Sequence, residues 1–412
     1  MFRTASKHFN FVVMIAAIVA LSALAAPAQE TGGELSGGAG IFRPKNPEAK
    51  HRPNPTKPVV RPNRPTPTKP IPAESDEAFE DALAAGNDAR DERKFAAAEA
   101  SYRAALKLKP RDARAYYGLG NVFTDQQRWD DAEQSYRLVV DLAPSNAEAL
   151  IALSFVLVQP RPGAGNAKKF ADAEQFARRA TQLQPTNAVA FDRLGVAMTA
   201  RGIFTRDTEA AFRRAVELDP KFVVAQVHLA GVLRRLQRPD EAEPLYRAAI
   251  EQANDAPTLV LIADSMQSDQ RWSDSEPVLR RALQLDARNP GALFLLGRVL
   301  TVGRKYAEAE TLLKTAIEVN PKGFPARNLL GRAYLGLERY DDAFNAYDQA
   351  VEFASDADRK QLAGTFGFAG VGDGQLKAGR FRDAVRAYER GLQLDPNNLD
   401  LQNKLAAARA KL

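Results

Sequence analysis

Residues 113–146 read ARAYYGLGNVFTDQQRWDDAEQSYRLVVDLAPSN, and they contain the pattern from which the fold can be predicted. Its apolar residues step by three and four, from Ala132 to Tyr136 to Val139, which is typical of an amphipathic helix. Pro144 cannot continue a helix, because it lacks a backbone N–H and clashes with the preceding turn. The stretch therefore predicts two helices and a proline-bounded stop.

The same pattern recurs along most of the chain on a period near 34 residues. Prolines equivalent to Pro144 mark it: Pro110, Pro144, Pro185, Pro220, Pro321 and Pro396. Two of the gaps hold insertions of seven residues, near 160–169 and 356–364, whose role the sequence leaves open. One helical hairpin cannot bury its apolar face alone, so a stack of hairpins is predicted.

Small residues recur inside each period, which predicts close helix crossings. When the proline is counted as position 32, position 8 is small in every repeat, at Gly86, Gly120, Ser154, Gly195, Ala230, Ala263, Gly297, Gly331 and Gly372. Position 24 carries a larger packing residue, for example Tyr102, Tyr136 and Tyr388. A larger side chain at position 8 would push the two backbones apart.

This pattern resembles the tetratricopeptide repeat family. The resemblance covers nine copies, at 79–112, 113–146, 147–187, 188–222, 223–255, 256–289, 290–323, 324–357 and 365–398. It implies an all-α fold, a right-handed superhelical solenoid of helix-turn-helix repeats, within a repeat domain of residues 74–398. The charged stretch 399–412 is predicted to be a helix that caps the last apolar face.

The resemblance also implies a concave groove lined by the first helix of each repeat, where a partner lies. The predicted partner-binding residues are Tyr117, Asn121, Phe155, Arg234, Phe294, Arg298, Asn328 and Arg332, and the lining is also expected to hold Asp192 and Val227. Arg298 and Arg332 hold the same position in consecutive repeats, so they are expected to present two guanidinium groups to a carboxylate or an acidic peptide. The alternative is that both arginines pair with neighbouring acids of the chain. The lysine and asparagine pattern by which some family members bind a free C-terminal carboxylate is not met.

The N-terminus has the pattern of an export signal. Arg3 and Lys7 precede an uncharged apolar run from Phe11 to Ala26, and small residues follow at Ala26 and Ala28. This predicts a cleavable signal peptide at 1–28 and a periplasmic or secreted protein. The run has 16 residues, fewer than the roughly 20 needed to span a bilayer, but an uncleaved anchor facing the periplasm is the alternative.

Residues 29–73 differ from both neighbours in composition. Glycine and serine dominate 32–40, ten prolines lie between Pro44 and Pro72, and the segment has eight basic but three acidic residues. This predicts a disordered Gly/Ser stretch followed by a basic Pro-rich linker of extended polyproline II conformation. The linker is either a solvated spacer or a binding element for an anionic envelope polymer or lipid headgroups.

The charge and residue inventory exclude several function classes. Of the 57 basic and 51 acidic residues, ten basic and three acidic lie in 1–73, which leaves 47 against 48 in the rest, so no general nucleic-acid footprint is predicted there. The chain has no cysteine, and of its three histidines only His228 lies in the repeats, where it is interpreted as a packing residue. No catalytic site, metal site or cofactor is therefore predicted.

The leading hypothesis is a non-enzymatic interaction scaffold of the bacterial cell envelope that binds an extended peptide or a partner protein in its groove. The second is an accessory protein of polysaccharide export or cell-wall remodelling that contacts anionic polymer through the basic Pro-rich tail. A membrane partner is expected only if the signal segment is uncleaved. The identity of the partner, the pathway and the oligomeric state stay open.

Overall fold

The computed structural model describes residues 73–159, 161 and 166–412, and all regular structure among them is helical. The predicted all-α class of stacked helical hairpins is confirmed. The predicted signal peptide and nearly all of the predicted linker lie outside the described residues. The chain divides between Asn254 and Asp255 into two compact units, which we describe separately.

The N-terminal unit is a series of antiparallel helix pairs in which each helix packs against the next. Its helices are α1 (Ala73–Asp91), α2 (Phe95–Leu108), α3 (Ala113–Asp125), α4 (Trp129–Leu142), α5 (Ala147–Leu157), α6 (Asn166–Leu183), α7 (Ala188–Ala200), α8 (Arg206–Leu218), α9 (Val223–Arg235) and α10 (Pro239–Gln252).

The C-terminal unit repeats this arrangement and adds two further helices. It contains α11 (Ala256–Ser268), α12 (Trp272–Leu285), α13 (Pro290–Val302), α14 (Tyr306–Val319), α15 (Phe324–Gly336), α16 (Tyr340–Val351), α17 (Asp356–Ala363), α18 (Phe368–Lys377), α19 (Phe381–Leu394) and α20 (Leu399–Arg409). None of the helices in the described part of the chain is both long enough and apolar enough to cross a membrane.

Asparagine and aspartate side chains begin many of the first helices. Asp112 accepts from the backbone N–H of Arg114, and Asn146 accepts from that of Ala149. These bonds satisfy N–H groups that have no partner within the helix. The turn that follows the proline thus supplies a side-chain cap for the next helix after Pro110, Pro144, Pro185 and Pro396, but not after Pro220 or Pro321.

The small residues at position 8 allow the two helices of a repeat to cross closely. A Cβ added at Gly120 would lie 2.5 Å from the ring of Tyr136, and one added at Gly331 would lie 2.4 Å from the ring of Tyr347. Both tyrosines are fully buried. The packing residue at position 24 therefore fills the space that the missing side chain leaves.

The turn between the two helices of a repeat contains a residue in the left-handed conformation. Its φ is +58° to +75° at Arg93, Gln127, Gly202, Gln237, Gln270, Arg304, Glu338 and Gly379. Most of these residues carry a side chain, although this conformation favours glycine. The sequence did not reveal this position because its residue type varies.

A second-helix glutamate links consecutive repeats through ion pairs. Glu133 accepts from Arg137 one turn later at 2.9 Å and from Arg161 of the next repeat at 2.5 Å. The same arrangement recurs at Glu99, Glu174, Glu209, Glu276 and Glu310, whose partners in the next repeat are Arg128, Arg201, Arg238, Lys305 and Arg339. Each unit is therefore joined by polar contacts on the second-helix side as well as by its apolar core.

The two insertions have different structures. Arg161, in the first, is almost fully buried and donates to the backbone oxygens of Trp129 and Val156, both at 3.1 Å. The second forms α17, which begins with a reciprocal capping box between Ser355 and Asp358. At the end of the chain, α20 buries Leu401, which packs at Gly391 of α19.

Candidate functional site

The candidate site is the set of first-helix side chains predicted to line a groove, and in the N-terminal unit most of them are buried. Tyr117 and Phe155 each expose only 6% of their surface. The Tyr117 ring lies 5.6 Å from that of Tyr136, and the Phe155 ring meets Trp129 edge-on at 6.3 Å. In this state both side chains contribute to packing between helices.

Asn121 is fully buried, and its side-chain oxygen accepts a hydrogen bond from the hydroxyl of Tyr136 at 2.7 Å. This bond offsets the cost of burying the amide oxygen. Arg234 is half-buried at the C-terminal end of α9, while the neighbouring Arg235 is exposed and lies 4.6 Å from the ring of Phe204. In this unit, arginine side chains are therefore partly or fully exposed at the end of α9, whereas the predicted aromatic and amide residues are buried.

Asp192 and Val227 were expected in the groove lining, but both are buried. Asp192 can be buried because two groups compensate its charge: Nδ1 of His228 lies 2.7 Å from one carboxylate oxygen and the Arg193 guanidinium 2.8 Å from the other. Burial alone would raise the pKa of Asp192, but His228 and Arg193 hold that pKa below its usual value. Arg193 also lies over the ring of Phe155, at 5.3 Å.

His228 is partly buried and packs against residues of its own chain. Its ring packs 5.3 Å from that of Phe212, and its other contact is the Asp192 carboxylate. Within the described residues, no group of three or more histidine, cysteine, aspartate or glutamate side chains could hold a metal ion.

In the C-terminal unit, Arg298 is held by its own chain. Its guanidinium donates to Gln267 at 2.7 Å and to Asp264 at 3.1 Å, and it lies near the rings of Trp272 and Phe294. Burial lowers the pKa of Arg298, and the Asp264 carboxylate opposes that effect. The sequence signal for this pairing is that Asp264 precedes Arg298 by one period of 34 residues, so both occupy position 9.

Arg332 occupies the same position in the following repeat but has a different environment. It is half-buried, and its guanidinium carbon lies 4.8 Å from the centre of the Phe366 ring, which is 64% exposed. Asn328, one turn earlier on α15, is also half-buried, whereas Phe294 on α13 is buried. The two arginines were predicted to be equivalent, but they differ. Arg298 is paired with an acid of its own chain, whereas Arg332 lies beside an exposed aromatic ring.

Comparisons with known families identify the repeats. The family profile described as tetratricopeptide repeat matches residues 83–147 and 205–257, and a profile described as anaphase-promoting complex, cyclosome, subunit 3 matches residues 268–350. The chain contains tetratricopeptide repeats, as its resemblance predicted. Proteins of this family generally act as non-enzymatic scaffolds that bind proteins or peptides.

Solved structures of similar fold include three bacterial proteins. A thermophilic tetratricopeptide repeat protein of Thermus thermophilus has 22% identity and a TM-score of 0.39, with 46% of this chain and 99% of that chain covered. PilF of Pseudomonas aeruginosa has 19% identity and a TM-score of 0.41, with 52% and 94% covered. MamA of Desulfovibrio magneticus RS-1 has 16% identity and a TM-score of 0.38, with 44% and 97% covered. No curated protein matches the chain.

Proposed function

We propose that this tetratricopeptide repeat chain is a non-enzymatic scaffold of the bacterial cell envelope that binds an extended peptide or a partner protein on its first-helix faces. The observation that carries the proposal is the surface at α15, where Arg332 and Asn328 are half-buried and Phe366 is exposed. Exposed aromatic and arginine side chains are the residue types enriched at protein interfaces.

The charge distribution supports a protein partner rather than nucleic acid. Basic and acidic residues nearly balance in 74–412. Many of them form ion pairs within the chain, among them the second-helix glutamates with cations of the next repeat. A nucleic-acid surface would need a basic patch or stripe on one face.

Location in the envelope rests on the N-terminal sequence. Arg3, Lys7 and the apolar run that follows have the pattern of an export signal. We propose a periplasmic or secreted protein, with an uncleaved anchor as the alternative.

A second candidate function is favoured by the composition of residues 41–73. Eight basic and only three acidic residues lie in 29–73, so this segment could hold an anionic polysaccharide while the repeats recruit an export or wall-remodelling complex. Salt-sensitive sedimentation of the chain with purified cell envelopes, lost on deletion of 41–73, is the result expected from this function. Salt-insensitive or absent sedimentation would refute it.

The experiment that tests the leading proposal is cross-linking of the tagged full-length chain in intact cells, followed by affinity capture and mass spectrometry. A matched chain that lacks 41–73 is captured in parallel, and each enriched protein is then purified and bound to both chains in vitro. Direct binding of a protein by both chains supports a scaffold that acts through its repeats. Recovery of envelope polymer without a protein that binds directly would refute it in favour of the second function.

A further inference from the structure

Of the five buried tyrosines at position 24, three donate to an acceptor at position 9 of the same repeat, fifteen residues earlier; for Tyr246 that position is Gly231. In the N-terminal unit, Tyr102 donates to Asn87 at 2.6 Å and Tyr136 donates to Asn121 at 2.7 Å. In the C-terminal unit, Tyr388 donates to Asp373 at 2.8 Å. The side-chain oxygen at position 9 therefore satisfies a hydroxyl that would otherwise be buried without a partner.

Tyr347 departs from this arrangement. The residue fifteen positions earlier is Arg332, whose guanidinium has only donors. Tyr347 is fully buried, and its hydroxyl has no hydrogen-bond partner among the described residues. Burial raises the pKa of Tyr347 strongly and the charge of Arg332 opposes this only in part, so the hydroxyl stays protonated and is a donor.

Arg332 also lacks an acidic partner in the described part of the chain, in contrast to Arg298 with Asp264. The carboxylate at position 9 of the next repeat, Asp373, is already engaged, because it binds Tyr388 and also Lys404 at 2.8 Å. In this repeat the tyrosine hydroxyl therefore faces a cation at position 9, whereas Tyr102, Tyr136 and Tyr388 have an acceptor there. A guanidinium and a hydroxyl are both donors, so together they suit an anionic oxygen acceptor.

We propose that Arg332 and Tyr347 form a subsite for a side-chain carboxylate, an aspartate or glutamate of an extended peptide. The carboxylate takes the place that the Asn or Asp oxygen holds beside Tyr102, Tyr136 and Tyr388: the Arg332 side chain turns aside, and the carboxylate accepts from its guanidinium and from the Tyr347 hydroxyl. Phe366, exposed beside Arg332, covers the peptide next to the acidic residue. This inference rests on the proposed function and specifies the chemistry of the partner.

Charge complementarity selects a carboxylate over a neutral acceptor. Hydrogen bonds to ionised groups are about twice as strong as neutral ones, and a planar guanidinium matches the geometry of a carboxylate. The subsite differs from a two-arginine clamp, because Arg298 already has its own carboxylate and is not expected to contribute.

The test measures binding of a fluorescein-labelled hexaglutamate peptide, acetylated and amidated at its ends, to the full-length chain by fluorescence anisotropy. A hexaglutamine peptide of the same design is the control. Arg332→Gln is expected to weaken hexaglutamate binding by roughly tenfold to a hundredfold, and Tyr347→Phe by roughly threefold to tenfold. Arg298→Gln, the matched change one repeat earlier, is expected to leave the affinity within about twofold, with the thermal midpoint measured to show that it folds.

A second measurement tests whether the Tyr347 hydroxyl makes a stabilising hydrogen bond in the absence of peptide. Tyr347→Phe is expected to leave the thermal midpoint unchanged or raised, since the hydroxyl has no partner to lose, whereas Tyr136→Phe is expected to lower it. Equal losses in the two variants would overturn the proposal, as would hexaglutamate binding that survives Arg332→Gln.

Two further probes separate the sources of the carboxylate. A hexaserine peptide with a free C-terminus that binds as well as hexaglutamate, or a polyuronate that binds through Arg332 more tightly than the peptide, would also overturn the proposal. A captured partner that binds the wild-type chain and Arg332→Gln equally would refute the subsite and leave the scaffold function intact. Absence of any directly binding partner would refute the scaffold function. The hexaglutamate measurement tests the subsite alone, so its result does not depend on whether a partner is found.

Discussion

Replacement of Glu133 by glutamine should remove a pH-dependent part of the stability. Glu133 accepts from Arg137, from Arg161 and, at 2.8 Å, from Lys169. Burial alone would raise the pKa of Glu133, but these three cations outweigh burial and lower it to about 2, from an ordinary value of 4.5. The charged form is therefore favoured by folding.

The sign of the effect follows from the lowered pKa. A carboxyl whose folded pKa lies below its unfolded pKa contributes stability that is present above about pH 4.5 and is lost as the pH falls towards about 2. A shift of this size corresponds to about 3 kcal/mol, which screening by solvent around the half-exposed Lys169 reduces to about 1–2 kcal/mol. Among the described residues, removal of the charge also leaves the buried Arg161 with Asp130, at 3.5 Å, as its one acidic partner.

The assay is urea unfolding of the wild-type chain and of Glu133→Gln, followed by circular dichroism at several pH values between 7 and 2.5. We expect the variant to be less stable by about 1–2 kcal/mol at pH 7 and the two curves to converge as the pH approaches 2. Glu338→Gln, which removes an exposed carboxylate without an ion pair in the described structure, is the matched control and should run parallel to the wild type. If the difference in unfolding free energy between Glu133→Gln and the wild type stays constant across the pH range, the effect does not come from the charge of Glu133.

Two substitutions test the repeat geometry, and one measurement tests the export signal. Gly379→Ala should lower the free energy of unfolding by about 1 kcal/mol through backbone strain alone, because its φ is +74° and an added Cβ would meet nothing within 4 Å; an unchanged urea midpoint would argue against that strain. Gly331→Val should cost about 2 kcal/mol, because its side chain would overlap the Tyr347 ring; Tyr347→Leu in the same chain should recover part of the loss, and no recovery would place the overlap elsewhere. Mass spectrometry of the protein isolated from a periplasmic fraction should find Gln29 at its N-terminus, whereas an intact Met1 start would favour the uncleaved anchor.

Sequence periodicity was sufficient for the fold because the same contact recurs. Gly120 with Tyr136 and Gly331 with Tyr347 are the same crossing in two repeats, so residue type and spacing predict it. The left-handed turn residue repeats just as regularly, but Gln127 and Glu338 share only a backbone angle, which residue identity does not record. A structural feature can thus be periodic without being visible in the sequence.

The candidate site was harder to predict because it depends on neighbours in other repeats. Arg298 and Arg332 are equivalent by position, yet only Arg298 follows an aspartate at the same position of the preceding repeat. For Arg332 that preceding residue is Arg298 itself. A search for acids one period away would have found Asp264, and a search fifteen residues ahead would have found Tyr347.

The acid of the following repeat, which is engaged by Tyr388 and Lys404, is also separated from Arg332 by a break in the period. Asp373 lies 41 residues after Arg332 instead of 34, because α17 is inserted between the two repeats. The chain then enters α18 through a tight turn, where a Cβ on Gly367 would lie 1.9 Å from the backbone oxygen of Leu362, and Phe366 is left exposed in that turn. Phe366, the exposed ring beside Arg332, therefore lies where regular stacking is interrupted.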